Sequence, residues 1–417
     1  MNDNDRAIVG LVTLGHAMVH TYELSIPILM TEWLDVFAVD AATLGLVVGV
    51  GYALFGIGAL PGGMLADVFG SRRLILACLA GMGGSFALLS VAPSLVVLVV
   101  ALVCWGVAAS VYHPSGLALI SKGVDERGRA FALHGMAGNL GIALGPLVTA
   151  LLLLFVGWQT ATAVLVVPAL LGVVVAATVD IDETAAVEET AADGGDETGD
   201  DDATGGSKAD AVTSLPEFVD GTKRLFAGTF VLVFGVVVMS GLYYRGVLTF
   251  MPELLAGFEA FDTVTALGKE WEPGRFVYAG LLTVGMAGQY TGGILTDRIR
   301  PSVGIAGAFG VLVVLALVFL PAARAGVVPL LIVGAVLGFF LFVVQPLYQA
   351  TVAELTPPGT RGLSYGYTYL GVFGVGAAGG AVAGAILTFA TADVLFWTLA
   401  AFAASASVLG LALVRTE

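Results

Sequence analysis

Long apolar runs alternate with short polar connections along almost the whole chain. Each run has the roughly 20 residues that an α-helix needs to cross a bilayer, and the alternating pattern typical of barrel strands is absent. Because hydrocarbon offers no water to backbone N–H and C=O groups, spans of this kind are helical. The pattern predicts an all-α polytopic membrane protein with twelve transmembrane helices. The runs lie at about 8–30, 42–66, 73–92, 95–120, 130–156, 159–179, 224–252, 273–296, 302–322, 327–353, 362–388 and 391–414.

Composition agrees with a membrane protein rather than a soluble one. Of 417 residues, 58% are hydrophobic and only 12% are charged, whereas soluble domains carry about 25% charged residues. The mean hydropathy is +0.96. The first span contains His16, His20 and Glu23 and lacks a small-residue cleavage site, so we expect no cleaved signal peptide. Cys78 and Cys104 both lie within spans, where we expect packing rather than a disulfide or a metal site.

The negative charge is concentrated between the sixth and seventh spans. The net charge is −15, and a segment rich in acidic residues, glycine and threonine occupies 180–202. Such a composition cannot bury enough apolar surface to fold, so we expect 181–222 to be a disordered linker between two six-helix domains, 1–180 and 223–417. Its acidity resembles that of halophilic proteins, and a tail that binds a partner is the alternative.

The positions of lysine and arginine predict the orientation in the membrane. Basic residues close to the spans are retained in the cytoplasm, and an N-terminus inside places thirteen of the seventeen basic residues on that side. Both termini and the linker are therefore expected to be cytoplasmic, in a multi-pass protein of the cell membrane. Lys269, Arg275 and Arg324 would lie outside, and Arg245 remains within a span. The thirteen are Arg6, Arg72, Arg73, Lys122, Arg127, Arg129, Lys208, Lys223, Arg224, Arg298, Arg300, Arg361 and Arg415.

The two halves of the chain carry related sequences. GGMLADVFGSRR ends the second span and contains Asp67, and GGILTDRIRPS ends the eighth span and contains Asp297, 230 residues later. VYHP at 111–114 aligns with VVQP at 343–346. A duplication of six spans is typical of transporters whose substrate binds between the halves, near the middle of the bilayer.

These motifs resemble the Major Facilitator Superfamily, and the resemblance covers the chain outside the 181–222 linker. Val68 stands where the family's signature loop usually has a basic residue, and Arg300 stands where its second copy usually has a glycine. The resemblance implies a gate whose aspartate lies near a helix N-terminus, where the dipole favours an anion, and stabilises the outward-facing state. Anchoring by positive charge is the alternative. The signature positions are Gly63, Asp67, Gly70, Arg72 and Arg73, and those of the second copy are Gly293, Asp297 and Arg298.

The fifth span resembles the family's antiporter motif through GNLGIALGP. Glycines in this motif allow close helix approach, and its proline bends the helix. VYHP, followed by RGRAFALHGMAGNLGIALGP, and a histidine in the first helix resemble the fosmidomycin resistance branch. In that branch the histidine is followed four residues later by an aspartate; this chain has His20 there, and the nearby Glu23 is the expected substitute. The motif positions are Gly138, Gly141, Gly145 and Pro146.

All four histidines lie within spans of the N-terminal half, where polar groups usually face a cavity or a partner. The spacing of His16, His20 and Glu23 places them on one helical face, and imidazole changes charge near neutral pH. We expect a proton relay; hydrogen bonds that only join helices are the alternative. The expected substrate and proton pathway in this half comprises His16, His20, Glu23, His113, His134 and Asn139.

Arg245 lies deep in the seventh span, where exposure to lipid would cost about 2.5–3.5 kcal/mol. We expect it to face the cavity beside Tyr244 and to bind an anionic substrate group or pair with Glu23; snorkelling to an interface is the alternative. Neutral polar groups elsewhere in this half suit an uncharged or mixed-polarity solute, or else join helices: Gln289, Gln345, Tyr348 and Gln349. GVGAAG at 374–379 lies in an apolar helix and predicts packing, not a dinucleotide site.

The resemblance and the buried polar groups predict a secondary transporter that works by alternating access. We expect a proton-coupled exporter (antiporter) of small amphipathic or drug-like compounds; the alternative is a proton-linked importer of a small organic anion. A membrane enzyme or sensor is disfavoured because H-E-x-x-H, nucleophile-elbow and phosphate-loop motifs are absent. We expect a monomer whose partners are the substrate, the coupling proton and the bilayer, without nucleic acid, metal or cofactor.

Overall fold

The described chain is almost entirely helical. The computed structural model describes residues 1–187, 215–266, 268–357 and 360–416. Within these ranges it contains seventeen α-helices, a single 3₁₀ turn, one π-helical turn and one β-hairpin. In apolar runs this long, backbone groups find their hydrogen-bond partners within the helix, which is why the spans are helical.

Eight helices form the N-terminal half. They are α1 (Asp3–Val36), α2 (Ala41–Ile57), α3 (Ala59–Phe69), α4 (Ser71–Ser90), α5 (Leu95–Ser110), α6 (Tyr112–Gly123), α7 (Arg127–Leu153) and α8 (Trp158–Thr178). α2 and α3 make one span that bends by 48° at Gly58. α5 and α6 together make another, interrupted at Val111 just before the histidine of the VYHP motif.

Nine helices form the C-terminal half. They are α9 (Leu215–Phe226), α10 (Phe230–Leu248), α11 (Met251–Ala256), α12 (Pro273–Thr296), α13 (Pro301–Ala325), α14 (Val327–Leu355), α15 (Arg361–Tyr369), α16 (Ala378–Phe389) and α17 (Ala392–Val414). The π-helical turn Leu370–Val375 joins α15 to α16 within one span. Before α12, a 3₁₀ turn (Glu259–Phe261) precedes the antiparallel hairpin of β1 (Val264–Ala266) and β2 (Lys269–Trp271), in which Val264 pairs with Trp271.

The described helices confirm the expected twelve-span architecture. Nine spans are long and apolar enough to cross a membrane, and the bent pair α2 and α3 makes a tenth. The other two are α1, with 34 residues, and α12, with 24. Both are long enough to cross a membrane, but polar residues such as Glu23 in α1 and Arg275 in α12 make them less apolar than the other spans. Because twelve spans reverse direction at each connection, both chain termini lie at one face, here called the terminus face.

The two halves repeat the same packing scheme. In the N-terminal half α1 packs on α7, α4 on α8, and α2 on α5; in the C-terminal half α10 packs on α16, α13 on α17, and α12 on α14. Between the halves, α2 lies along α16 and the π-helical turn, and α7 lies along α12. A Cβ atom on Gly56 of α2 would overlap backbone atoms of Gly374, so the backbones of the two halves touch there.

Two described pieces of the 181–222 segment depart from the disordered linker expected from composition. Residues 215–222 belong to α9, where Thr222 Oγ1 lies 3.0 Å from the Tyr367 hydroxyl and Phe218 packs near the same ring. Glu183 accepts hydrogen bonds from the backbone N–H groups of Ser71 and Arg72. Both pieces are held by side chains that pair with a six-helix half, a contact that composition does not reveal. Residues 188–214 of the expected linker lie outside the described ranges.

Candidate functional site

A buried ion pair joins the two halves at the centre of the molecule. Glu23 of α1 is fully buried and Arg245 of α10 is 1% exposed. Arg245 Nη2 donates a hydrogen bond to Glu23 Oε1. The guanidinium Cζ lies 3.7 Å above the centre of the Tyr52 ring, a cation–π geometry, and the Tyr52 hydroxyl donates to the Glu23 carbonyl oxygen at 2.8 Å. The arginine is therefore compensated by a carboxylate and an aromatic face of the other half.

A chain of short polar contacts leads away from this ion pair along α1. His20 Nδ1 lies 2.5 Å from the second carboxyl oxygen of Glu23, Oε2. His20 Nε2 lies 3.1 Å from His16 Nε2, and His16 Nδ1 donates to the carbonyl oxygen of His134 at 2.7 Å. These residues, His16, His20 and Glu23, are called the histidine file below. Its members are linked because spacings of four and three residues bring side chains together on one helical face.

The other two histidines border the file. The His134 ring stacks on His16 with 3.9 Å between ring centroids. The His113 ring, on α6, lies 5.2 Å from His16 and 5.5 Å from His20, and it also contacts Tyr369 of the C-terminal half at 4.9 Å. All four histidines are buried. The structure thus brings every histidine of the chain into one cluster beside the interface between the halves.

The glycines of the GNLGIALGP segment explain how α7 approaches α1 so closely. A Cβ on Gly141 or Gly145 would overlap backbone atoms of α1 at Ala17 and Thr21. A Cβ on Gly138 would overlap the His16 ring itself. Small residues at these positions therefore let two helices pack at close range and leave room for the first imidazole of the file. Pro146 lies within α7, and Asn139 is half-buried beside Gly138.

The polar residues expected to line a cavity in the C-terminal half differ in their burial. Tyr244 is buried, with its ring centre 5.4 Å from the guanidinium, and Tyr348 is buried as well. Gln345 is half-buried, whereas Gln349 is exposed. Within the described part of the chain, the Gln289 side-chain oxygen, the Tyr278 hydroxyl and Arg245 Nε are buried without a hydrogen-bond partner. Buried polar atoms are rarely left unpaired, so each of these three lacks the partner that such an atom usually has.

Sequence reasoning missed Tyr52 and Tyr278, which both belong to the site. Tyr278 of α12 is fully buried and lies close enough to Tyr52, Arg245 and Glu23 to interact with them electrostatically. Tyr52 is the single tyrosine of its apolar span and Tyr278 is one of two in its span, a signal that does not distinguish a residue of the site from one that packs in the core.

The signature loop at the terminus face is held by charged groups of the N-terminal half. Asp67 accepts a hydrogen bond from Lys122 of α6 at 2.5 Å. Arg72 donates to the carbonyl oxygens of Ala176 and Ala177, which end α8. The carboxylate that accepts hydrogen bonds from backbone N–H groups at the start of α4 is that of Glu183, whereas Asp67, for which the resemblance implied a place near a helix N-terminus, bonds Lys122.

The remaining signature residues are less engaged. Gly70 has a φ of 84°, a left-handed conformation that favours glycine at the turn between α3 and α4. Gly63 faces open space. Arg73, Asp297 and Arg298 are exposed at the terminus face.

At the opposite face, Arg275 connects the two halves. It lies at the start of α12 and donates to Glu32 at 2.5 Å and to Thr31 at 2.8 Å, both on α1. Arg275 Nε lies 3.0 Å from the carboxylate of Glu272. Burial raises the pKa of the Glu272 carboxyl; the neighbouring Arg275 opposes this rise, and the negative charges of nearby carboxylates, Glu32 among them, add to it. These residues, Glu32, Glu272 and Arg275, are called the opposite-face latch.

Three imidazoles are close enough to consider a metal ion. Ligand atoms of His16, His20 and His113 lie within 4.8 Å of one another. Imidazole nitrogens that share one tetrahedral Zn²⁺, at about 2.0–2.1 Å from the metal, are only about 3.3 Å apart. The three rings would have to move closer together to bind one ion. As it stands, the arrangement suits hydrogen bonding along the file.

Parts of the chain are similar in sequence to curated proteins of bacteria. It is 36% identical over 108 residues to the puromycin resistance protein pur8 of Streptomyces alboniger, a match that covers 25% of this chain and 22% of that protein. It is 40% identical over 116 residues to an uncharacterized MFS-type transporter of Mycobacterium tuberculosis, with 27% of each chain covered. The chain thus matches only about a quarter of the length of these curated relatives.

Similarity of the whole fold and a match to a family model complete the comparison. The crystal structure of a D-xylose-proton symporter aligns with 98% of this chain and 97% of its own, with a TM-score of 0.73 and 15% identity. The model of the Major Facilitator Superfamily matches residues 11–269, more than half of the chain. Members of this family are transporters, not enzymes. The chain belongs to the Major Facilitator Superfamily.

Proposed function

We propose that the protein is a secondary active transporter that exports small amphipathic or drug-like compounds in exchange for protons. The observation that carries the proposal is the ion pair between Glu23 and Arg245. Alternating access moves the halves relative to each other, so a contact that joins them at the centre must rearrange in each cycle. A proton bound beside this pair changes the charge that faces the Glu23 carboxyl, which would connect proton binding to the movement of the halves.

The proposed proton pathway is the histidine file together with His113. His113 contacts the file on one side and Tyr369 of the C-terminal half on the other. A proton held by this cluster is therefore close to both the ion pair and the interface between the halves. His134 stacks on the file and is proposed to line the same path.

Export is supported by similarity to a resistance protein and by the fifth span. The relative from Streptomyces alboniger is a puromycin resistance protein. The glycines of the antiporter-like segment pack α7 directly against the helix that carries the file. The cargo would meet a surface of tyrosines and unpaired polar atoms, at Tyr278, Gln289 and Arg245, which suits compounds with both aromatic and hydrogen-bonding parts.

A second candidate function is proton-linked import of a small organic anion. Arg245 Nε is buried without an acceptor, so the guanidinium retains a donor for a carboxylate while it bonds Glu23. The direction of transport separates this candidate from export.

We further propose that the protein lies in the cell membrane as a monomer with both termini in the cytoplasm. The excess of basic residues at the terminus face supports this orientation. In this orientation the opposite-face latch, which includes the contact of Arg275 with Glu32, would lie on the outside. The signature loop, with Asp67 bonded to Lys122, would act as a gate on the cytoplasmic side.

The proposal is tested with purified protein in liposomes that carry a pH gradient. Puromycin and a panel of neutral, cationic and anionic amphipathic compounds are the probes. We expect accumulation of at least one non-anionic compound that is driven by the pH gradient and lost in Glu23→Gln and in His113→Ala. Exchange of labelled for unlabelled compound should survive in both variants, because exchange needs alternating access but no net movement of protons.

Asp3→Asn is the matched control, since it makes the same carboxyl-to-amide change at an exposed position at the start of α1. It should transport as the unmodified protein does. Accumulation by Glu23→Gln and His113→Ala at the unmodified stoichiometry would reject the proton pathway. Uptake restricted to anionic compounds would favour import through Arg245.

A further inference from the structure

We infer that the histidine file holds one additional proton, compared with a file in which both imidazoles are neutral and the Glu23 carboxyl is ionised. This proton makes His20 an imidazolium. The role of this proton in transport rests on the proposed function, whereas its presence follows from the number of hydrogens that three consecutive contacts of the file require.

The first contact fixes the protonation of one ring nitrogen. His16 Nδ1 lies 2.7 Å from the carbonyl oxygen of His134. A carbonyl oxygen can only accept, so His16 Nδ1 carries a hydrogen. In a neutral ring, the other nitrogen, Nε2, is then an acceptor.

Each of the next two contacts also needs one hydrogen. The Nε2 atoms of His16 and His20 are 3.1 Å apart, and His20 Nδ1 lies 2.5 Å from Glu23 Oε2. Two bare lone pairs do not approach to hydrogen-bond distance, so a hydrogen lies in each gap. The three contacts require three hydrogens, whereas two neutral imidazoles and a carboxylate supply only two.

The surroundings place the additional proton on His20. Arg245 donates to the other oxygen of the Glu23 carboxyl, and this favours the ionised carboxylate. The count allows the additional proton on either ring, but His20 contacts the carboxylate directly, whereas His16 bonds only a neutral carbonyl oxygen, so the positive charge is best stabilised on His20. His20 then lies between two acceptors, His16 Nε2 on one side and Glu23 Oε2 on the other. As an imidazolium it donates to both.

Other titratable groups also border the file. The His134 ring stacks on His16 with 3.9 Å between centroids, the Tyr112 ring lies 5.7 Å from His16, and the His113 ring lies 5.5 Å from His20. The Tyr52 hydroxyl donates to the Glu23 carbonyl oxygen.

Loss of this proton would leave one gap of the file without a hydrogen. Two acceptors would then face each other at 2.5 or 3.1 Å, and the repulsion would separate the rings or pull His20 away from Glu23. The conformation described here is therefore the proton-loaded one, and it carries a single additional proton in the file. Its release is coupled to a change in the contacts of the carboxyl that Arg245 also holds.

Nitrogen NMR of ring-labelled histidine tests the inference without a known substrate. The chain has four histidines and all of them lie in this cluster, so every histidine signal reports on the site. In lipid nanodiscs near neutral pH, we expect one imidazole with both nitrogens protonated and three neutral rings. Four neutral rings, or two or more imidazolium rings, would overturn the inference.

Two variants sharpen the experiment. In Glu23→Gln, the amide N–H fills the gap to His20 Nδ1 while its oxygen faces Arg245, so the additional proton is no longer needed and the imidazolium signal should vanish. In His134→Phe, the backbone carbonyl that fixes His16 remains, and the imidazolium signal should persist among three rings. An imidazolium that survives Glu23→Gln would contradict the count. This outcome is independent of transport: a protein that exports without proton coupling can still show the signal.

Discussion

Glu23 is shared between two partners, since Arg245 bonds one carboxyl oxygen and His20 contacts the other. Arg245, by contrast, has Glu23 as its ion-pair partner, and the ring of Tyr52 is the nearest of the aromatic rings around it. The two members of the pair therefore depend on each other unequally. Removal of the Glu23 carboxyl leaves Arg245 buried without an ion-pair partner, whereas removal of Arg245 leaves Glu23 paired with the His20 imidazolium.

This asymmetry predicts unequal losses of stability. Glu23→Leu should lower the free energy of unfolding by about 3–5 kcal/mol, because it leaves a buried cation uncompensated. Arg245→Met should cost less, since Glu23 keeps His20. The double variant should recover most of the loss, as paired apolar residues often replace a buried ion pair without penalty. Thermal unfolding in detergent measures all three; an equal or larger loss in Arg245→Met would contradict the assignment of charge.

The signature loop should act on transport rather than on stability. Asp67 and Lys122 are about half exposed, and exposed ion pairs contribute only about 0–1 kcal/mol. Asp67→Asn is therefore expected to leave expression and melting temperature nearly unchanged while it slows transport several-fold. Asp3→Asn, another exposed carboxyl on the same face, serves as the control. Unaltered kinetics in Asp67→Asn would rule out a role as a gate.

The opposite-face latch should close more tightly in acid. The pKa of Glu272 is raised chiefly by its burial in the closed arrangement, and opening would return it towards its ordinary value. As the pH falls through the raised pKa, the closed arrangement takes up a proton that the open one does not, so closure is favoured at lower pH and this contribution is lost as the pH rises.

Spin labels at Val36→Cys and Val264→Cys report on this movement, because both positions are exposed and lie on different halves. Cys78 and Cys104 are first replaced by alanine. We expect the distance distribution to shift towards shorter values as the pH falls, and we expect Glu272→Gln to abolish that shift. A pH response that is unchanged in Glu272→Gln would assign the sensor elsewhere.

Orientation is tested by the same cysteine-free background. Asp3→Cys lies at the terminus face and Val264→Cys on the hairpin of the other face, and both residues are exposed. In intact cells an impermeant thiol reagent should label position 264 and leave position 3 unmodified until the membrane is opened. The reverse pattern would place the termini outside.

The sequence alone predicts the helices and the members of the file, because these depend on local properties. Twelve apolar runs give twelve spans, and the spacing of His16, His20 and Glu23 on a helix gives one shared face. Contacts between distant spans could not be derived in this way. Tyr52, Tyr278 and the partnership of Arg275 with Glu32 depend on how two bundles face each other, which no periodicity along the chain records.

The acidic segment shows a second limit of composition. Its charge predicts a chain without a core, yet Glu183 bonds the start of α4 and residues 215–222 form part of α9. The Glu183 carboxylate bonds two backbone N–H groups at the start of a helix, where such groups have no partner within the helix. The average composition and charge of a segment do not reveal an interaction of one residue.

The backbone contact between Gly56 of α2 and Gly374 of the π-helical turn restricts which substitutions these two positions can accept. Any side chain at Gly56 would meet backbone atoms of Gly374, which cannot turn aside, whereas a Cβ at Gly374 would first meet the end of the flexible Leu370 side chain. The two positions therefore differ in tolerance: substitutions should accumulate first at Gly374, with compensating changes at Leu370. Gly56 should remain unchanged in descendants of this chain for as long as α2 and the π-helical turn bear against each other.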